Sequence, residues 1–324
     1  MFSGIQPTGS AHIGNYLGAL RQWALQQAEH EAFYCIVDLH AMTLPWDPAA
    51  LREQTLSKAA ELIACGIDPE RSVLFVQSHV KEHTELAWIL SCVARMGELR
   101  RMVQFKEKSK GGEAESAGVG LFTYPVLQAA DVLAYRAHGV PVGEDQRQHI
   151  ELMRDLAQRF NSNFGVTFTV PEAWIPKEGA RVMALDDPTQ KMSKSAERPA
   201  STVSMVDPPE AITKKLKSAV TDSGREVRAA EDKPAVTNLL TIFSLAEGTP
   251  VAELEERFAS AGYGDFKAAL AEALVERFRP IRARYLELMG DRAETERLLA
   301  GGAERAAAVA EDTIRDVRAK VGLL

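Results

Sequence analysis

The run "AFYCIVDL", residues 32–39, decides how the chain is built. Apolar and aromatic side chains follow one another without alternation as far as Asp38. That is the pattern of a short strand buried on both faces, as in a parallel sheet. Its surroundings agree. "MFSGI" (1–5) is a short apolar run, broken by "QPTG", before "NYLGALRQWALQQ" (15–27) with helical spacing. After residue 39, "DPAALREQTLSKAAELIACG" (47–66) reads as a helix capped by Asp47, with Pro48 in its first turn and Gly66 at its end. "SVLFVQS" (72–78) is a further buried strand, and "HTELAWILSCVARM" (83–96) a further helix. The β-α-β-α order predicts an α/β fold, a doubly wound, Rossmann-like parallel sheet. Ligands in such sheets sit beyond the carboxyl ends of the strands. This directs attention to residues 6–15, 38–40 and 77–79.

Farther along, "KEKSKGGEAESAGVG" (106–120) reads as a loop, and "YPVLQAADVLAYRA" (124–137) as a helix with Pro125 in its first turn. "VPV" (140–142) reads as a strand, followed by the long helix "EDQRQHIELMRDLAQRF" (144–160). From about residue 207 strand-like runs stop, and segments of helical composition continue to the end, punctuated by proline and glycine. An all-helical second domain is expected to begin near residue 187.

The 324 residues carry 46% apolar and 26% charged side chains, which is ordinary for a folded chain with a sizeable core. No apolar run reaches the roughly 18 residues of a membrane span, and the start lacks a secretory signal pattern. Cys35, Cys65 and Cys92 have no CxxC spacing and read as buried free thiols in a reducing cytosol. A net charge of −7 argues against a surface that grips nucleic acid everywhere. "ITKKLK" (212–217) and "RFRPIRARY" (277–285) remain as local basic faces, or as ordinary solvated helix faces.

Four stretches carry candidate chemistry. "GIQPTGSAHIGNY" (4–16) is a small-residue turn before a helix, suited to phosphate, or simply a tight turn with a satisfied histidine. It fits neither GxGxxG nor GxxxxGK[ST]. In "TYPVLQAADVLAY" (123–135), Tyr124, Gln128, Asp131 and Tyr135 share a helical stripe. Asp131, a carboxylate on an apolar helix, is either ion-paired or the floor of a pocket. In "VPVGEDQRQHIEL" (140–152), Glu144 and Asp145 can accept from ribose hydroxyls and Gln146 can hold a polar group. Asp145 can equally cap the helix. "KMSKS" (191–195) gathers mobile cations of the kind that meet charge in a phosphoryl-transfer transition state.

"KMSKS" is the second signature of the class I aminoacyl-tRNA synthetases, and "AHIGN" (11–15) stands where their first signature, usually HIGH, belongs. Together with "GIQPTG", "AADVLAY", "VPVGEDQRQHIEL", "TDSGREVR" (221–228) and "KPAVTNLL" (233–240), the chain closely resembles the bacterial tryptophanyl branch over nearly its whole length. The resemblance implies a tryptophan–tRNA ligase, cytoplasmic and homodimeric. Its substrates would be L-tryptophan, ATP with Mg²⁺ and tRNA(Trp), with no protein-bound metal and no membrane. It implies a catalytic domain over 1–186 and a junction loop with a helical anticodon-binding domain over 187–290. A last helix over 291–324 would pack back on the first domain.

Residue by residue, the resemblance places Gln6, Pro7, Thr8, Gly14 and Asn15 at ATP, with Gly143, Glu144 and Asp145 on the ribose side and Val182 at adenine. Lys191, Met192, Ser193, Lys194 and Ser195 close on the phosphates, and Lys108 joins them. Asp131 takes the indole N–H, while Tyr124 and Gln146 face the ammonium. Phe2, Gly4, His40, Val140 and Val142 wall the pocket, with Gln6 and Gln128. Asn15 ends the first signature where most class I relatives have histidine, Gln128 stands where some have methionine, and the 106–120 loop is slightly long. The competing readings are a tyrosine-specific sister, a small-molecule nucleotidyltransferase and a tryptophan-binding protein without activity.

Overall fold

The computed structural model describes residues 1–102, 118–175, 182–193 and 198–324. Three parallel strands, β1 (Phe2–Ile5), β2 (Phe33–Ile36) and β3 (Val73–Val76), pair in the order β1-β2-β3, with Gly4 opposite Cys35 and Cys35 opposite Phe75. All four residues of β2 are buried, as its unbroken apolar run predicts. Alternate side chains enter two cores. Tyr34, Ile36, Leu74 and Val76 face one, and Phe33, Cys35 and Phe75 face the other. A second parallel pair, β4 (Gly139–Pro141) with β5 (Glu172–Trp174), lies beside β1, and Ser3 Oγ donates to the Pro141 carbonyl at 3.3 Å. The chain thus leaves β1 toward β2 on one side and meets β4 on the other. A crevice opens at such a reversal.

After β1 the chain enters α1 (Ile13–Asn15), a π-helical stretch Tyr16–Leu20 and α2 (Arg21–Gln26) without a break in helical backbone. Residues 38–41 form a short α3 (Asp38–Ala41). Helix α4 (Pro48–Ala64) starts as expected: Asp47 accepts from Ala50 N at 2.7 Å, Pro48 is its first residue, and Gly66 turns the chain at φ +106°. Helices α5 (Glu82–Val93) and α6 (Met96–Arg101) follow β3. Helix α7 (Val119–Leu133) begins earlier than its proline suggests, so Pro125 sits inside it rather than in its first turn. Pro125 is buried among apolar neighbours, and that packing outweighs the single backbone hydrogen bond it removes. Helix α8 (Arg147–Phe164) follows β4 through a 3₁₀ turn, Glu144–Gln146. Asp145 does not cap α8. Its Oδ2 accepts from Gln146 Nε2 at 2.8 Å instead. Cys35 and Cys65 are buried, but Cys92 lies on the outward face of α5 and is exposed, contrary to expectation. β5 leaves no mark in the sequence: Glu172 is exposed and Ala173 and Trp174 are half-buried, so three residues show no period.

The remaining chain is helical: α9 (Pro209–Lys217), α10 (Pro234–Glu247), α11 (Val251–Arg257), α12 (Tyr263–Gly290) and α13 (Arg292–Val321). α12 packs on α4, where Tyr285 and Ser57 hydroxyls meet at 3.0 Å. α13 returns to the sheet and covers β3, an edge strand whose exposed backbone would otherwise invite pairing. The approach is close enough that a Cβ on Gly302 would lie 1.8 Å from the Leu74 carbonyl oxygen. Arg305 Nη2 donates to the Ser72 carbonyl at 2.7 Å beside it.

Candidate active site

A cavity of about 1410 Å³ opens at the crevice between β1 and β4. Its floor is a buried carboxylate. Asp131 is 1% exposed, and three donors hold it: His40 Nε2 to Oδ2 at 2.8 Å, Gln77 Nε2 to Oδ1 at 2.7 Å, and His83 Nδ1 to Oδ1 at 2.6 Å. Burial pushes its pKa up, but the His40 and His83 hydrogen bonds outweigh burial and hold it well below the usual carboxylate range. Burial likewise raises the Tyr135 phenol far above its ordinary value, so it keeps its proton. Tyr135 therefore donates to His83 Nε2 at 2.7 Å, and His83 Nδ1–H donates to Asp131. A carboxylate offers about four lone-pair sites. Three are taken, and one on Oδ2 remains for a ligand donor. Phe2 and Phe33 stack on the Tyr135 ring behind this chain.

Above Asp131, Tyr124 O–H meets His149 Nε2 at 2.9 Å. Burial lowers the His149 pKa to about 4 and raises that of Tyr124 to about 12, so both are neutral near pH 7. Gln128 Nε2 donates to Gln146 Oε1 at 3.3 Å, which turns the Gln128 amide along the wall. Every residue expected at tryptophan lines this one cavity: Asp131, Tyr124, Gln146, Gln6, Phe2, Gly4, His40, Gln128, Val140 and Val142.

At the other end lies the turn before α1. His12 caps the helix reciprocally: its Nδ1 accepts from Asn15 N at 3.3 Å, and Asn15 Oδ1 accepts from His12 N at 3.2 Å. An accepting Nδ1 puts the imidazole proton on Nε2. The junction loop lies against this turn. Met192 N donates to the Val182 carbonyl at 3.1 Å, Ile13 N donates to the Val203 carbonyl at 2.8 Å, and a Cβ on Gly14 would stand 3.0 Å from the His12 ring and 3.5 Å from Val182. Asn238 on α10 clamps the segment paired with that loop, accepting from Met183 N at 2.9 Å and donating to its carbonyl at 3.0 Å, while Met183 bridges to Lys191. Gly14, Asn15, Gly143, Glu144, Val182, Lys191, Met192 and Ser193 line the cavity with Gln6, whereas Pro7, Thr8 and Asp145 stand outside its lining. Arg147 engages the exposed Glu144 through Nε and Nη2, at 2.6 and 2.9 Å. Lys108, Lys194 and Ser195 lie outside the described residues.

Beyond the residues expected at the substrates, His12 and Trp174 line the cavity and Gln77 and His83 support its floor. His12 and Gln77 lie in the stretches after β1 and β3 to which the sequence directs attention, whereas Trp174 and His83 do not. His83 acts through Asp131 from inside a helix, where no local pattern marks it.

Comparison with known proteins gives a consistent result. The model of the class I tRNA synthetases (W and Y) matches residues 1–279. The tryptophan–tRNA ligase 2 of Streptomyces avermitilis is 55% identical over 100% of this chain and 97% of its own. The tryptophan–tRNA ligase of Caldanaerobacter subterraneus is 52% identical over 100% and 98%. Among solved structures, the tryptophanyl-tRNA synthetase of Campylobacter jejuni, complexed with ADP and tryptophan, superposes with a TM-score of 0.89 at 37% identity over 99% of both chains.

Proposed function

The chain belongs to the class I tRNA synthetases of the tryptophan and tyrosine branch, and we propose that it joins L-tryptophan to tRNA(Trp) at the expense of ATP. The observation that carries the reading is the single cavity with an ionised, buried Asp131 at one end and the His12–Asn15 turn and Lys191 at the other. The tryptophan carboxylate attacks the α-phosphate and pyrophosphate leaves. The tryptophanyl group then passes to the terminal ribose of the tRNA. The protein positions the reactants and neutralises charge rather than supplying a nucleophile.

The indole N–H takes the fourth lone-pair position of Asp131, on Oδ2. A site built around one donor rejects an analogue lacking it by up to ~10⁴–10⁵-fold, because its acceptor would be buried unpaired. A Tyr124 hydroxyl that donates to His149 presents its oxygen lone pairs to an ammonium, and Gln146 stands beside it. The Nε2–H of His12, Asn15 and the backbone of the turn face the phosphates, and Lys191 approaches from the junction loop. Lys194, Ser195 and Lys108 keep the phosphate roles assigned by resemblance. Mg²⁺ enters with ATP. Among the described residues no group of three or more His, Cys, Asp or Glu side chains gathers as a metal cage. Gly143, Glu144 and Asp145 serve the ribose, with Glu144 first releasing Arg147. Because Asn238 on α10 grips Met183, which pairs with Lys191, a closing motion of the helical domain would carry Lys191 over the triphosphate.

The anticodon falls to the helical domain, 187–290, and 291–324 braces the catalytic domain. A cytoplasmic homodimer completes the proposal. The outward face of α5 carries Trp88, 73% exposed, and Cys92 one turn on, a surface suited to a second copy. Amino-acid-dependent ATP–pyrophosphate exchange tests the assignment. Exchange with tryptophan and not with tyrosine is the expected result, and exchange with tyrosine alone would transfer the protein to the sister activity.

A further inference from the structure

Helix α4 carries a lysine and a glutamate where apolar side chains would serve packing. Lys58 is 1% exposed and Glu61 is 0% exposed, and the two are ion-paired one turn apart within the core that holds Ala59, Ala60 and Leu62. Their remaining bonds leave the helix. Lys58 Nζ donates to the Gly9 carbonyl at 2.8 Å, and the Glu61 carboxylate accepts from Ala11 N at 3.2 Å on Oε2 and 3.4 Å on Oε1. Gly9 is left-handed at φ +66°, and Thr8, Gly9 and Ser10 are exposed, whereas Ala11 is fully buried. The exposed tip of the turn is therefore gripped from beneath at two backbone groups, immediately before the His12 cap.

A buried ion pair is a weak source of stability, because desolvation consumes most of its attraction and an apolar pair of like volume often serves as well. A pair whose outward bonds all go to one loop is better placed to fix that loop. We infer that Lys58 and Glu61 are positioning residues for the nucleotide turn: they set the backbone of Gly9–Ala11, and through Ala11 the His12–Asn15 cap that lines the cavity. They touch no substrate. The inference rests on the proposed nucleotide site but not on which amino acid is activated.

The test is Lys58→Met/Glu61→Leu, which keeps volume and removes charge. The expected outcome is a folded protein with a thermal midpoint lowered by a few degrees, since the buried Ala11 N–H loses its acceptor, and an ATP affinity weakened roughly tenfold, about the effect of one misdirected hydrogen bond to a charged group. It is read by direct ATP titration without amino acid and as KM for ATP in exchange. KM for tryptophan should stay unchanged. Glu61→Gln, whose amide oxygen can still accept from Ala11 N and Lys58, should restore most of the affinity. If the double variant does not fold, Lys58→Met/Glu61→Gln decides, since it releases Gly9 and keeps Ala11, and a several-fold loss of ATP affinity is expected. Unchanged ATP affinity in the folded variant, or equal loss for ATP and tryptophan, overturns the inference. Loss of tryptophan-dependent exchange in the parent, with ATP binding intact, would instead count against the amino-acid assignment alone.

Discussion

His149 is buried at 3% exposure, and burial lowers its pKa from the usual 6.5 to about 4. The unfolded chain takes up this proton as pH falls through about 6.5, and the folded chain resists until about 4. The unfolded state therefore binds more protons between those limits, and stability declines as the medium is acidified across them. Between pH 7 and pH 5 the contribution is up to about 2 kcal/mol. Urea midpoints of the parent and of His149→Gln, taken at both pH values, check it: the variant should lose less stability on acidification. The neighbouring Asp131 was legible in sequence as a carboxylate on an apolar helix. His40 and Gln77 lie in the stretches after β2 and β3 to which the sequence directs attention, but the convergence of both with His83 on this one carboxylate was not legible, because they come from segments 48 to 91 residues away. Fields of this kind are assembled by the fold, and no local spacing encodes them.

Among the secondary elements, the strands β1 to β3, the cap of α4 and the order of the helices follow from local pattern. Unbroken apolar runs mark two-faced burial and Asp-Pro marks a helix start. Cys92 and Pro125 show where that pattern fails. Cys92 has apolar neighbours in sequence yet falls on the outer face of α5, and Pro125 lies inside α7 because packing, not propensity, sets where that helix begins. The seat of α13 on β3 is another such case. Gly301 and Gly302 are adjacent in sequence, but a Cβ on Gly301 meets nothing within 4 Å while one on Gly302 meets the Leu74 carbonyl oxygen at 1.8 Å. Gly301→Ala is expected to stabilise by about 0.5–1 kcal/mol. Gly302→Ala should destabilise by about 1–3 kcal/mol or more as the helix is lifted from the strand. Chemical denaturation of the two variants separates them, and equal effects would contradict this packing.

At the scale of the whole molecule, α9 and α12, which carry the two basic stretches, pack against each other. Several of their cations are already paired: Lys215 with Asp207 at 2.6 Å, Arg284 with Glu287 at 2.8 Å, and Arg279 with Glu276. Lys214 and Arg277 are exposed on this pair of helices. If they contact phosphates, Lys214→Ala and Arg277→Ala should each weaken tRNA binding and lower its salt slope by about 0.7–0.9. An unchanged slope would mark both as merely solvated. On the proposed reading, one cavity joins distant parts of the chain: the Asp131 carboxylate of α7 would choose the amino acid, and the turn and junction loop would hold the triphosphate. ATP–pyrophosphate exchange by Asp131→Asn is the most direct measurement of that division of labour. Loss of about 10²-fold or more in kcat/KM for tryptophan is expected, with ATP binding retained. Tryptophan-dependent exchange at the parental rate would show that Asp131 does not select the substrate.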